Sequence, residues 1–143
     1  MKIELVRVVP VVTAGAYSAN DIVGGTLTFG TGAAILRAVT ITDLAKQAGA
    51  YQLVFFKSIP TDILDNGVFD IADADHAKMV GAIHITDTVG ADRFDLSDSK
   101  LYCRQGLMLP FDSGTLYAFL IALGTPTYAA TTDVAITLHL EKT

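Results

Sequence analysis

The residues best equipped for chemistry sit in one acidic run, Asp70-Ile71-Ala72-Asp73-Ala74-Asp75-His76. A calcium loop needs oxygens at alternating positions, a glycine at its sharp turn and a closing bidentate glutamate. This run has neither the glycine nor the glutamate, so it reads as the start of a short helix over residues 73–80. Asp73 or Asp75 would then be the N-cap, with acids near the positive end of the dipole. The three histidines, His76, His84 and His139, lie far apart and form neither a His-x-His nor a Glu-x-x-His spacing, which predicts no metal site. His139 is expected on the solvent face of the last strand.

Cys103 has no nucleophile motif around it and reads as a small hydrophobe. Gly30-Thr31-Gly32 lacks the later glycine and the Lys-Ser/Thr of a phosphate loop and reads as a turn. A hydrolase or isomerase would need at least two polar side chains converging in a pocket. Nothing in the spacing announces such a pair, so the expectation is no enzyme and no cofactor. Tyrosines could form a sugar platform, but there is no tryptophan, and Phe29, Phe55, Phe56 and Phe119 fall within strand-like segments. Tyr17, Tyr102 and Tyr128 are freer, and tyrosine suits an interface because it buries a large ring and keeps a polar tip.

These residues must be positioned by strands. Residues 134–141 place Val134, Ile136, Leu138 and Leu140 on one face, and Ala135, Thr137, His139 and Glu141 on the other. That two-residue period predicts a sheet with one buried face. Further strands are expected over residues 2–12, 22–29, 35–42, 51–58, 81–86, 100–104, 105–110 and 115–123. Pro10 puts the end of the first at an edge or bulge, and Gly24-Gly25 interrupts the second. Residues 43–50 read as a connection, and 87–98 as a loop or poor edge strand. Residues 59–70 form a long crossing around Pro60 and an Asp65-Asn66-Gly67 turn. Segment 51–58 is apolar on both faces, so it should be covered twice. About eight strands with long crossings predict an all-β, antiparallel, jelly-roll-like sandwich with one short helix, forming a single domain over residues 1–143.

With 143 residues the chain can build a core without staples. Hydrophobic residues make up 51% of it and mean hydropathy is +0.45, which points to apolar surface covered by a partner. No apolar run approaches the ~18 residues that span a bilayer, and no basic amphipathic helix is evident. A net charge of −5 with scattered cations argues against a phosphate-lined partner, so neither nucleic acid nor membrane is expected. Met1-Lys2-Ile3-Glu4 begins no secretory signal pattern, and a single cysteine fits a reducing cytoplasm.

Several stretches in order along the chain resemble the jelly-roll decoration, or cement, proteins of tailed-bacteriophage capsids. They are Tyr17-Ser18-Ala19-Asn20-Asp21-Ile22-Val23-Gly24-Gly25, then Val39-Thr40-Ile41-Thr42-Asp43 with Lys46-Gln47, and Leu53-Val54-Phe55-Phe56 with Pro60-Thr61. Asp65-Asn66, Ala72-Asp73-Ala74-Asp75, Leu116-Tyr117 and Gly124-Thr125-Pro126-Thr127-Tyr128 complete the set. The resemblance implies a structural virion protein on the outer face of the capsid, made in the host cytoplasm. It would form homo-oligomers, dimers or trimers, that bridge major capsid protein subunits and stabilise the shell. The family's motifs bring no catalytic residues to carry over. Loops 17–25 and 124–128 combine tyrosine with glycine, so Tyr17, Asn20, Asp21, Thr125, Pro126 and Tyr128 are the expected partner-binding residues. Tyr17→Ala and Tyr128→Ala are then expected to leave the fold intact, and the doubly apolar strands to pack protomers together. The alternative is a carbohydrate-binding jelly-roll module of a phage virion.

Overall fold

The computed structural model describes residues 1–47 and 49–142. Residue 48, within the connection expected over 43–50, and residue 143, in the domain expected over 1–143, lie outside the described residues. Among the described residues ten strands follow one another: β1 Lys2–Val8, β2 Leu27–Gly30, β3 Ala34–Asp43, β4 Tyr51–Phe56, β5 Met79–Ile85, β6 Arg93–Asp95, β7 Lys100–Arg104, β8 Leu109–Phe111, β9 Thr115–Ala122 and β10 Val134–Lys142. A 3-10 helix, Asp73–Lys78, precedes β5.

The pairing follows from one long hairpin wound into a sandwich. β1 pairs β10, β2 pairs β9, β3 pairs β7 and β4 pairs β5, every pair antiparallel. Wrapping that hairpin brings β10 against β3 and β9 against β4. The sheets that result have the orders β1-β10-β3-β7-β6 and β2-β9-β4-β5, with β8 also on β3. This is the strand order of a jelly roll, so the expected all-β antiparallel sandwich is the observed fold. β6 is a three-residue strand within the segment expected as a loop or poor edge strand, and β8 is the strand expected over 105–110, shifted and cut to three residues. Pro110 lies inside β8 and offers no donor, which suits so short a ladder.

Strand lengths depart from expectation where backbone chemistry intervenes. The first strand stops at Val8 rather than residue 12, before Pro10. The second is reduced to Leu27–Gly30, with Ile22 held by an isolated bridge to Ile121. Gly24 has φ +88°, and a Cβ there would fall 2.4 Å from the Cβ of Pro10, so the two segments touch only because position 24 has no side chain. β3 carries an extra residue, Arg37, opposite the His139–Leu140 step of β10. The bulge shifts the alternation, so Leu36 and Val39 both face inward with two residues between them.

On β10, Val134, Ile136, Leu138 and Leu140 are fully buried between the sheets, as the alternation requires. β4 is covered twice, but the second cover comes from the chain itself. Tyr51, Leu53 and Phe55 face the main core, while Val54 and Phe56 join Ile22, Phe119 and Ile121 on the outer face of the second sheet. Ile63, Phe69 and Ile71 of the crossing segment roof that cluster, with Phe119 ringed edge-on by Phe56 and Phe69 at 5.6 and 6.2 Å. Each side chain so buried contributes about 1.5–3 kcal/mol. The doubly apolar strands therefore do not offer a surface for packing protomers, which corrects that expectation.

Candidate functional site

The two loops singled out by sequence do meet in space, at one end of the sandwich. Tyr17 N–H donates to the Pro126 carbonyl (2.8 Å), Tyr128 N–H donates to the Gly15 carbonyl (3.0 Å), and Asn20 N–H donates to the Ala122 carbonyl (2.7 Å). Their side chains, however, divide into two groups. Asn20 and Thr125 are exposed, whereas Tyr17, Asp21, Pro126 and Tyr128 are buried. Tyr17 and Tyr128, each 2% exposed, face the core and present no ring to a partner or a sugar. That overturns the partner-facing expectation for four of the six residues. Sequence does not tell which way a loop side chain turns.

The tyrosines form a connected cluster. Tyr17 and Tyr128 pack edge-on with ring centres 5.4 Å apart, and so do Tyr51 and Tyr102 at 5.2 Å. The Tyr51 and Tyr128 hydroxyls lie 2.5 Å apart and join the two pairs. At one end Tyr17 donates to Asp65 Oδ1 (2.7 Å) and accepts from Thr13 N–H (2.7 Å). At the other, the Tyr102 hydroxyl lies 3.1 Å from Asp87 Oδ1 and 3.2 Å from the Gln47 carbonyl. Burial, aided by the Asp65 carboxylate, pushes the Tyr17 phenol up to about 12. Burial also raises Tyr51, Tyr102 and Tyr128, so all four phenols stay protonated and act as hydrogen-bonding core residues.

The acids are equally committed to structure. Thirteen of the fifteen are aspartates, whose short side chains reach nearby backbone donors in loops. Asp43 accepts from Ala45 and Gln47 N–H, and Asp133 from Ala129 and Ala130 N–H, all at 2.9 Å. Asp21 holds Ser18 N–H (2.7 Å), Asp87 holds Gly49 N–H (2.8 Å) and Asp92 holds Thr86 N–H (2.9 Å). Asp65 gathers three segments: it accepts from Thr13 Oγ1 (2.6 Å), the Tyr17 hydroxyl and Gly24 N–H (2.7 Å). Sequence reading took Asp65 only as part of a turn; its long reach across the fold left no local signal. Burial raises Asp43. In Asp87 burial pushes the same way, but Arg93, Gly49 N–H and Tyr102 together hold the carboxyl below its usual range.

The acidic run 70–76 behaves as structure, with one correction. The helix N-cap is Ala72, without a side-chain cap, and neither Asp73 nor Asp75 fills that position. Asp75 instead turns inward to accept from Thr61 N–H (2.8 Å) and Lys78 Nζ (2.7 Å). The Lys78 ammonium and that N–H hold it down at about 2.

His76 and His84 are exposed, on the helix and on β5 respectively. His139 lies on the outer face of the six-stranded sheet, its Nε2 3.0 Å from Thr40 Oγ1. Thr40 Oγ1 in turn lies 3.9 Å from Cys103 Sγ. The hollow of about 240 Å³ beside Cys103 is lined by Ala91, Asp92, Phe94, Arg104 and Gln105, and neither Thr40 nor His139 reaches it. Cys103 and His139 thus stand apart on an open sheet face, unlike a nucleophile in contact with its base. Among the described residues no group of His, Cys, Asp or Glu side chains is placed to hold a metal, and no helix is long and apolar enough to cross a membrane.

What sequence reading missed is a surface. On β1 and its continuation the outward positions are Ile3, Leu5, Arg7, Val9 and Val11, and the four aliphatic ones are 41–74% exposed. Apolar residues occupy both parities of this segment, so alternation alone could not tell which set was buried.

These features define an antiparallel jelly-roll sandwich whose buried polar side chains brace loops and whose outward-facing edge is apolar. In comparison with known proteins, the chain matches no family model and no curated sequence.

Proposed function

We propose that this chain is a structural head protein of a tailed bacteriophage, a cement protein that binds the outer capsid surface and ties major capsid subunits together. Jelly rolls host many functions, so the fold does not by itself select one. The observation that carries the reading is the strand order. The resemblance, drawn from short stretches along the chain, implied a jelly roll, and the pairing of β1 with β10, β2 with β9, β3 with β7 and β4 with β5 accords with it.

Two physical features support the role. Loops tied down by aspartate and tyrosine hydrogen bonds lose little conformational entropy on docking, so less interaction energy is consumed in ordering them. A protein that binds the assembled shell and not its free subunits stabilises the shell by mass action. If several copies act together, avidity exceeds single-site affinity by roughly 10²–10⁴. Asn20 and Thr125 remain the accessible members of the two meeting loops and belong to the capsid-facing rim in this reading.

The test is to mix the purified protein with undecorated tailed-phage heads and image them by electron cryomicroscopy. Saturable extra density obeying the capsid symmetry is the expected result. Heads that stay bare at saturating protein would refute the assignment.

A further inference from the structure

A sheet edge can pair with any extended chain, so proteins blunt their edges with short strands, bulges, proline or cover. Three of the four sheet ends are protected in this way. β6 has three residues, and Arg93 donates its N–H to the Thr88 carbonyl (3.2 Å) and accepts from Gly90 N–H (3.1 Å). β2 has four residues; β5 loses register opposite the Phe55–Phe56 step and carries the Leu109 side chain against Gly81. β1 is different. It pairs β10 in unbroken register over all seven residues and contains no proline. In an antiparallel ladder alternate residues turn N–H and C=O away from the partner. Among the described residues no hydrogen bond outside that ladder reaches the β1 backbone. Even its inward side chains, Glu4, Val6 and Val8, stay partly exposed.

The side chains select what can pair there. Ile3 and Leu5 point outward, 55% and 60% exposed. Lys2 and Arg7 flank them on opposite faces, about 17 Å apart along the strand. Both cations are exposed and neither forms an ion pair among the described residues. The strand's one acid, Glu4, is held by Lys142 Nζ at 3.1 Å, which leaves this edge positive in a chain of net charge −5. A second copy laid antiparallel would set Lys2 against Arg7 twice, so the cations turn away the protein's own β1.

We propose that β1 accepts an extended strand of a different protein, apolar between two acidic residues, as a new edge of the six-stranded sheet. The strand runs antiparallel, the better-bonded arrangement. It takes up the free N–H and C=O groups, covers Ile3 and Leu5, and sets its carboxylates against Lys2 and Arg7. This goes beyond the capsid reading, since it holds whichever protein supplies the strand.

The probe is a capped peptide, Glu-Thr-Val-Thr-Val-Glu, titrated into the isotope-labelled protein and followed by amide resonances and hydrogen exchange. Saturable shifts centred on β1, with alternate β1 amides slowed, are the expected result. A lysine-ended peptide of the same middle should bind roughly tenfold more weakly. The double variant Lys2→Glu with Arg7→Glu, which changes only exposed side chains, should reverse that order with circular dichroism unchanged. Methylating one alternate set of the peptide's amide nitrogens should abolish binding, while methylating the other set leaves it. The proposal is overturned if neither peptide binds, if both bind alike, or if both methylated forms do. Slow β1 amides in the concentrated protein alone overturn it too, by assigning the edge to a second copy. No capsid enters this experiment, so its failure leaves the capsid reading standing, and bare heads leave this inference standing.

Discussion

The hydroxyl pair of Tyr51 and Tyr128 gives a sharp energetic test. The two oxygens are 2.5 Å apart, both rings are 2% exposed, and the Tyr51 hydroxyl has no other hydrogen-bond partner among the described residues. Tyr51→Phe or Tyr128→Phe removes one oxygen and strands the other in the core. An unsatisfied buried hydroxyl costs about 1–3 kcal/mol, so each single variant should lose about that much stability. The double variant removes both polar groups and leaves an apolar contact of nearly the same shape. Its loss should be within ~1 kcal/mol of zero, because replacing both partners is close to neutral. The cycle is then strongly non-additive, with a coupling of about 1–6 kcal/mol, the summed single losses less the double. Urea unfolding followed by far-ultraviolet circular dichroism reads it, through midpoints compared at constant slope. If the double variant loses the sum of the singles, the hydroxyls do not depend on one another and the account of the cluster fails.

Other consequences follow from the same packing. Tyr128→Ala should cost about 3–5 kcal/mol by hollowing the core, contrary to the sequence-based expectation of an intact fold; urea midpoints decide. Gly24→Ala must place a Cβ 2.4 Å from Pro10 at φ +88°, whereas Gly90→Ala, at φ +81°, meets nothing within 4 Å. The first should lower the thermal midpoint well beyond the second, whose cost is the backbone strain of about 1 kcal/mol. Because Tyr17 is raised from 10.0 to about 12, the unfolded chain sheds this proton first. Its contribution, on the order of 2 kcal/mol, is whole below pH 10 and fades as pH climbs through about 12; Tyr17→Phe should flatten that part of an alkaline stability curve. Asp75 works in the opposite direction. Held at about 2 against an ordinary 3.8, it supports the fold above pH 4 and stops doing so as pH falls through 2. The stability gap between wild type and Asp75→Asn should therefore narrow over that window in acid unfolding.

Much of the architecture was legible because burial imposes a period. β10 and β7 could be read from their residues, and the bounds of β7 coincide with the expected 100–104. Segment 51–58 also declared its double burial correctly, through Val54 and Phe56 opposite Leu53 and Phe55. What it could not declare was the identity of the second cover. Ile63, Phe69 and Ile71 are scattered through an irregular segment, and no periodicity ties them to β4. The candidate site failed for a related reason. Tyr17 and Tyr128 lie in loops, where side-chain direction depends on contacts far along the chain: Asp65 is 48 residues from Tyr17, and Tyr51 is 77 from Tyr128. The residues mark the two loops as alike in composition, but do not turn their rings inward.

The tyrosine cluster also determines how the protein glows. The chain has no tryptophan, and four of its five tyrosines sit in that cluster. Its near-ultraviolet absorption therefore comes mostly from that cluster. With neighbouring rings 5.2 and 5.4 Å apart, excitation migrates between them before a photon leaves, so the emitted light is depolarised while the cluster is closed. Opening that end separates the rings and weakens this transfer, which makes the protein its own reporter of local unfolding without any attached dye.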